Sequence, residues 1–407
     1  MNCRMCKGTD LELFLDLGFT PPADQFRRKE QLAEPDVYYP LEVMVCRDCG
    51  LSQLNHIVSP EILYRQDYPY ESSTTKMGRV HWTEFAESCV EMLRLGKRDL
   101  VVDVGSNVGV LLECFRNAGT GILGVDPAVN ISLLAEKRGI ETITEFFSID
   151  AAERILREKG QASVITATNC FAHVNDLDGF MRAADKLLNE RGVLVIEAPY
   201  FANLLGNLEY DTIYHEHLSY LSVRPLKNFF GRFGMEIFDI QQRDIHGGSF
   251  RVFVSRAGGR KAAPVVGELL ASEEEKGIHK PEVLRRFSAA VRKNRDDLLW
   301  LLRSLKHDGK RIAGVSAPAK GMTLLNYCRL GTETLDFVTE KSALKIGRFT
   351  PGAHIPVLSD QELLNRMPDY ALLLAWNFAE EIMANLSEYR KKGGKFIIPI
   401  PSPRIIG

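Results

Sequence analysis

Between about residue 77 and residue 255 the chain alternates short apolar runs with longer amphipathic stretches. The runs are residues 100–104 (LVVDV), 122–125 (ILGV), 163–167 (SVITA) and 193–198 (VLVIEA), each followed by enough chain for a helix. Strands covered on both faces read as unbroken apolar runs, so this alternation predicts a parallel sheet with helices on either side. A further strand-like run at 250–254 leads into Arg256-Ala257-Gly258-Gly259-Arg260, which reads as a hinge. Charged helical stretches at 273–276 and 281–306 come next, and a second strand, turn and helix pattern starts at Arg311. Upstream of about residue 66 helical periodicity is scarce, Pro21-Pro22 and Pro35 interrupt the chain, and residues 38–45 read as a strand. Three units are therefore expected: a small module over 1–66, an α/β domain over 67–257 and a second α/β domain over 258–407.

Composition narrows the class. With 407 residues, 45% hydrophobic and 26% charged, the chain can bury several cores and is too apolar to be disordered. Its 51 basic and 53 acidic residues leave a formal charge of -2, so no overall positive field exists to hold a nucleic acid. No apolar stretch approaches the roughly 20 residues that span a bilayer. The first twenty residues also lack the basic and apolar regions of a signal peptide. A cytoplasmic protein acting on a small molecule, as a monomer or small homo-oligomer, is the expectation.

Four of the eight cysteines form two C-x-x-C pairs, Cys3/Cys6 and Cys46/Cys49. Such a spacing lets a tight turn present both sulfurs to one ion, and four thiolates make the closed tetrahedral set of structural Zn2+. A redox dithiol would be expected singly, in a βαβ setting. Cys89, Cys114, Cys170 and Cys328 stand alone and read as small core residues.

Residues 101–115, VVDVGSNVGVLLECF, run from a buried strand through Asp103, Gly105, Asn107 and Gly109 into an amphipathic helix. Glycines at such a turn let a ligand approach the backbone. Asp126 ends the next strand, where a carboxylate can accept from both ribose hydroxyls. The pattern D-x-G-x-N-x-G, with an acid on the first strand and without G-x-G-x-x-G spacing, suits a cofactor bearing an amino acid ammonium group better than a pyrophosphate. S-adenosylmethionine is the expected cofactor, with Asp103 and Gly105 beside its methionyl part and Asp126 on its ribose; a dinucleotide or a purely structural turn is the alternative.

Taken with the paired C-x-x-C module and DVGSNVG, four further segments make the sequence resemble a known family. They are TNCFAHVND (168–176), YDTIYHEHLSY (210–220), HGGSFRVF (246–253) and GVSAPAKGMTLLNY (314–327). The resemblance, over nearly the whole chain, is to the sugar C-methyltransferases that add a branch methyl at carbon 3 of a nucleotide-linked 4-keto-6-deoxy sugar in deoxysugar biosynthesis. It implies a zinc-binding domain, a central Rossmann-like S-adenosylmethionine domain and a C-terminal Rossmann-like domain that contributes to binding the nucleotide sugar, usually linked to thymidine diphosphate. Carried over by motif, His217 is the general base, Tyr214 sits near the keto oxygen, Glu216 orients the group, and His173 and Tyr68 are further active-site positions. Asn169 joins the cofactor-binding set. His215 inherits no role, and Tyr70 competes with Tyr68 for the same place.

The chemistry agrees with such an assignment. A ketone at carbon 4 acidifies the carbon 3 proton, a histidine near neutrality can remove it, and a phenol can donate to the enolate oxygen. Other readings stay open: Tyr214 and Tyr220 as core aromatics, Glu216 as a structural acceptor, and His215 with His217 on one strand face imitating a metal pair. In the C-terminal domain a helix opening near Lys320 would favour a diphosphate. By resemblance Lys345, Gly347, Gly352 and His354 line the sugar-nucleotide cleft, while Glu340 and Ser342 depart from the family pattern. The alternatives in function are methylation at oxygen or nitrogen, and a non-catalytic zinc-stabilised nucleotide-sugar-binding or scaffold protein.

Overall fold

The computed structural model describes residues 1–65, 67–72, 76–245 and 247–407. Gln66, at the expected first boundary, and His246, which opens the HGGSFRVF segment, lie outside the described residues.

Antiparallel strands β1 (Leu11–Thr20), β2 (Tyr39–Cys46) and β3 (Ser52–Leu54) open the chain. In β2 the residues Leu41, Val43 and Val45 are buried while Glu42 and Met44 are half-buried, the alternation of a sheet with one covered face. The central domain supplies β4 (Leu100–Val104), β5 (Gly121–Val125), β6 (Thr142–Ile143), β7 (Ala162–Thr168) and β8 (Leu188–Pro199). Next come β9 (Ser219–Tyr220), β10 (Met235–Arg243) and β11 (Ser249–Arg256).

The seven-stranded central sheet has the order β10-β11-β8-β7-β4-β5-β6; β11 alone runs antiparallel to its neighbours. The chain moves outward from β4 to β6 and returns to β7, so the crevice beyond the carboxyl ends of β4 and β7 is the switch point where open α/β sheets bind ligands. The continuous apolar runs of the sequence are these inner strands, in an α/β Rossmann-like arrangement. Strand β9 leaves the central segment and pairs with β3, giving the first sheet the order β1-β2-β3-β9.

The C-terminal sheet holds β12 (Ile312–Val315), β13 (Val338–Glu340), β14 (Val357–Ser359), β15 (Tyr370–Leu373), β16 (Lys395–Ile398) and β17 (Arg404–Ile406), in the order β14-β13-β12-β15-β16-β17. The helix Pro281–His307 joins it to the first sheet: Leu284, Phe287, Val291 and Leu298 share one core with Leu15, Val43, Ile312 and Leu324. Val266 and Leu269 of the preceding helix, Pro264–Lys276, instead enter the core of the central sheet. Among the described residues no helix is long and apolar enough to cross a membrane.

The first sheet is stapled where its two cysteine turns meet. Cys3 Sγ lies 3.5 Å from Cys49 Sγ and Cys6 Sγ 3.5 Å from Cys46 Sγ, with all four sulfurs within 4.8 Å of one another. A tetrahedral ion with metal–sulfur bonds of about 2.3 Å spaces its ligands by about 3.8 Å, so the four thiols fit Zn2+. Lys7 and Gly50, each following the second cysteine of its pair, are both left-handed (φ 66° and 88°), which turns the two knuckles towards one point.

A charge cluster is buried within the central sheet. Arg251 Nε donates to Glu197 Oε2 at 2.8 Å, the His81 ring meets Glu197 Oε1 at 2.5 Å, and the Arg251 guanidinium lies 3.5 Å over the Phe85 ring. Burial works to raise the Glu197 carboxyl, but the His81 hydrogen bond and the Arg251 charge outweigh it and hold it low.

Two outcomes are expected from this architecture. Elemental analysis should find one zinc per chain, lost in Cys46→Ser together with stability of the N-terminal module, because metal binding and folding are coupled there; a metal-free wild type of full stability would contradict the assignment. Arg251→Met leaves the buried Glu197 carboxylate with His81 alone and should lower the unfolding free energy by about 3 kcal/mol. Glu197 is held below its unfolded value of about 4.3, so its contribution is present above that value and fades as pH falls through the lower folded value. Urea unfolding should therefore show the gap between wild type and Arg251→Met closing below about pH 4, and a gap independent of pH would refute this account.

Candidate functional site

The loops that follow β4 and β7 touch each other. Gly105 has φ 72°, and a Cβ there would stand 2.9 Å from the Cys170 side chain, so glycine is required both by the turn and by its neighbour. Asp126 Oδ2 accepts from the Asn107 amide at 2.8 Å and Oδ1 from the Ala128 amide at 2.9 Å, which aims the carboxylate along the glycine turn. Asp103, at the end of β4, accepts from Thr166 Oγ1 at 2.6 Å; burial pushes it up to about 7 against that hydrogen bond. Gly109 (φ 77°) starts the helix Val110–Asn117, and a Cβ there would collide with Ile140 at 2.7 Å.

Asn107 does more than the motif predicts. Its Nδ2 donates to the Tyr70 carbonyl at 3.1 Å and its Oδ1 accepts from the Ser72 amide at 2.9 Å. Asn130 grips Tyr68 in the same manner through both backbone groups. The two asparagines thus hold the segment 68–72 across the mouth of the glycine loop.

Asp126 and Asp103 at adjacent strand ends, with a backbone turn between them, offer acceptors for a ribose diol and an ammonium group. Thr168 Oγ1 and His173 Nε2 border the same crevice as buried polar atoms with no hydrogen-bond partner among the described residues. Asn169, left-handed at φ 50°, lines a narrow cavity there with His173, Phe201, His217 and Tyr220. The residues present fit S-adenosylmethionine.

Beside this crevice six rings follow one another. Tyr70 lies 6.4 Å from Tyr68, Tyr68 5.7 Å from Tyr64, Tyr64 6.0 Å from His173, His173 4.9 Å from His217, and His217 3.9 Å from Tyr214. The His217 Nδ1 atom is 2.7 Å from the Thr212 carbonyl; donation there fixes the tautomer with the lone pair on Nε2. Burial, and repulsion from His217 whenever that ring is protonated, hold His173 well below the usual imidazole range. Tyr68 donates to Glu216 Oε2 at 3.0 Å. Burial, then the charge of Asp24, pushes the Glu216 carboxyl well up, with the Tyr68 hydrogen bond and Lys345 opposing. Burial and the Glu216 charge likewise raise Tyr214 and Tyr68, so both phenols keep their protons.

The alternative that set His215 and His217 on one strand face is not met: residues 214–217 form a turn, in which the His217 amide donates to the Tyr214 carbonyl at 2.9 Å. His215 is therefore not paired with His217: it is buried edge-on to Tyr39 of the first sheet, and burial lowers it to about 4. Tyr68 rather than Tyr70 reaches Glu216, since Tyr70 is exposed. Tyr220 is a core residue and Tyr214 is half-buried against the same core.

The three basic groups expected on the substrate are each engaged by an internal carboxylate. Lys320 Nζ lies 3.7 Å from Asp211 Oδ2 and over the Trp376 ring. Lys345 Nζ is buried, 3.1 Å from Asp24 Oδ1 and 2.8 Å from the Ala317 carbonyl. His354 Nε2 is 2.6 Å from Asp36 Oδ2. Gly352 packs against Pro21, where a Cβ would be 3.0 Å away, and Gly347 forms a left-handed turn. Glu340, one of the departures from the family pattern, accepts the Ala317 and Ser342 amides, repeating at β13 what Asp126 does at β5. Asp24 and Tyr64 were not legible as site residues: each reaches the site by a contact between modules that leaves no motif.

Family models match three consecutive stretches: a zinc binding domain over residues 3–64, a methyltransferase domain over 82–240 and a C-methyltransferase C-terminal domain over 244–401. The C-methyltransferase NovU of Streptomyces niveus is 38% identical over 406 residues, covering 100% of this chain and 96% of that protein. A ubiquinone biosynthesis O-methyltransferase of Pelagibacter ubique is 30% identical over 105 residues, covering 24% of this chain and 40% of that enzyme. Among solved structures, the magnesium protoporphyrin IX methyltransferase of Synechocystis PCC 6803 with bound SAH aligns at a TM-score of 0.35 and 14% identity, over 46% of this chain and 90% of that one. The full-length match and the three consecutive domains agree: the chain belongs to the C-methyltransferase family.

Proposed function

We propose that this C-methyltransferase acts on carbon 3 of a nucleotide-linked 4-keto-6-deoxy sugar, through an enolate, with S-adenosylmethionine as its methyl donor. The observation that carries the reading is the oriented His217 set between Tyr214 and His173 at the edge of the glycine-loop crevice. Carbon methylation needs a base, an enolate stabiliser and a dry site, whereas transfer to oxygen or nitrogen needs no enolate.

Asp126 and Asp103 would hold the cofactor, which supplies an electrophilic methyl on a sulfonium centre. His217, its Nδ1 hydrogen anchored on Thr212, takes the carbon 3 proton at Nε2. Tyr214, kept protonated by burial, donates to the oxygen on which negative charge develops. Glu216, fixed by Tyr68, sets the position of the turn that carries both groups. His173 stays neutral beside His217 and so does not add a second positive charge when His217 is protonated. The roles of Lys320, Lys345 and His354 in this reading are to hold the cleft walls through Asp211, Asp24 and Asp36.

Product analysis by mass spectrometry, with isotopically labelled methyl donor and a panel of nucleotide-linked 4-keto sugars, tests the substrate class. A carbon-bound methyl supports the reading; an acid-labile methyl on oxygen or nitrogen overturns it. Asp126→Ala should weaken S-adenosylhomocysteine binding by about 1.5–3 kcal/mol in calorimetry without changing zinc content, and unaltered affinity would contradict the cofactor placement. His217→Asn should slow turnover roughly 100-fold or more while both ligands still bind. Full activity in that variant would pass the base role to His173.

A further inference from the structure

Just ahead of the His217 turn, residues 210–213 are gripped by the C-terminal domain. They comprise the tight helical turn Tyr210–Thr212 and the residue that follows it. Tyr210 is fully buried, and its hydroxyl donates to Asn294 Oδ1 at 2.7 Å. Asn294 lies on the helix Pro281–His307, and its Nδ2 donates to the Pro399 and Pro401 carbonyls, both at 2.9 Å. Carbonyls only accept, so this amide has one orientation and its oxygen must face Tyr210. Asp211, also fully buried, accepts from the Trp376 indole at 2.7 Å, with Lys320 Nζ 3.7 Å from the same oxygen. The Ile213 carbonyl accepts at 3.1 Å from Thr323 Oγ1 of the helix Ala319–Tyr327. Between these anchored neighbours stands Thr212, whose carbonyl meets His217 Nδ1 at 2.7 Å.

We propose that Asn294, Trp376 and Thr323 are positioning residues for His217: by holding residues 210, 211 and 213 they fix the Thr212 carbonyl, and that carbonyl fixes the tautomer and direction of the ring. The Thr212 carbonyl shares a rigid plane with the Ile213 amide, so anchors on both sides leave it little room to rotate. All three anchors belong to the C-terminal domain, whereas the turn and His217 belong to the central one. Each anchor is a buried polar contact that is costly to leave unmade, so the turn takes this geometry when the two domains are docked. The C-terminal domain thus acts on the reacting group through the backbone, in addition to whatever it binds in its own cleft. A reacting group must be held to about 0.5 Å, and a misplacement of about 1 Å far from the chemistry can cost roughly 100-fold in rate. The catalytic consequence rests on the proposed role of His217 as the base; the tautomer can be read without any substrate.

Nitrogen NMR on the full chain with 15N-labelled histidine reads the tautomer, the His217 signals being assigned by their loss in His217→Asn. At about pH 9, well above the ordinary imidazole pKa of about 6.5, the wild type should show a single form protonated at Nδ1. The variant Tyr210→Phe/Thr323→Val removes two anchoring hydroxyls and leaves Thr212 and His217 in place. In it a second form protonated at Nε2 should appear, and kcat should fall roughly tenfold or more while KM and S-adenosylhomocysteine affinity stay within about twofold. Tyr210→Phe/Thr323→Ser restores one hydroxyl and should recover part of both signals. If the double variant does not fold, Thr323→Val alone is read in the same way, with a loss of roughly threefold in kcat expected. Mixed tautomers in the wild type, an unchanged tautomer in the folded variant, or a loss shared equally by kcat, KM and cofactor affinity overturns the positioning role, even if carbon is methylated. The expected tautomer shift in a protein that methylates only oxygen or nitrogen upholds the positioning and removes the enolate reading.

Discussion

A buried lysine joins the three parts of this molecule beside the candidate site. Lys345 comes from the C-terminal domain, its ammonium meets Asp24 of the N-terminal module and the Ala317 carbonyl, and it lies 4.7 Å over the Phe26 ring. Glu216 of the central domain feels both charges. Taking two charges out of water is costly, and their attraction compensates only when the partners are well fixed; losing one partner of such a pair costs about 3–5 kcal/mol. The pair therefore forms only when the modules are docked. Docking in turn assembles the wall of the cleft.

That constraint explains why a zinc module accompanies a methyltransferase fold. The cysteine turns fix the end of a sheet that lacks a large core of its own, while its other face shares a core with the helix Pro281–His307. Residues 21–36 then reach the loop 341–356 through Arg27, Asp36 and His354. With the asparagine-held segment 68–72, these contacts surround the histidine and tyrosine rings with protein. In the proposed reaction, fixed donors to a developing oxyanion would act there at low dielectric, where they count for most.

Local chemistry was legible in the sequence. The apolar runs became β4, β5, β7 and β8, the glycine turn became the loop between β4 and the helix Val110–Asn117, and the two cysteine pairs converged. Long-range pairing was not. Nothing in the pattern around Asp24 marks it as the partner of Lys345, 321 positions away, and Lys320, Lys345 and His354 look like ligand groups until their internal acids are seen. The period-two placement of His215 and His217 suggested a strand, but Tyr210–Thr212 forms a tight helical turn that carries on into a second turn, sending the two rings apart. Asn107 fits a cofactor motif by sequence, yet its side chain is occupied by residues 70 and 72.

The central claim is that the methyl takes the place of a proton on carbon 3. A nucleotide-linked 4-keto sugar carrying deuterium only at carbon 3 tests this directly when the methylated product is weighed by mass spectrometry after a single turnover. The account predicts a product that gains a methyl and loses its deuterium. A methylated product that retains the label would contradict it and place the methyl on another atom.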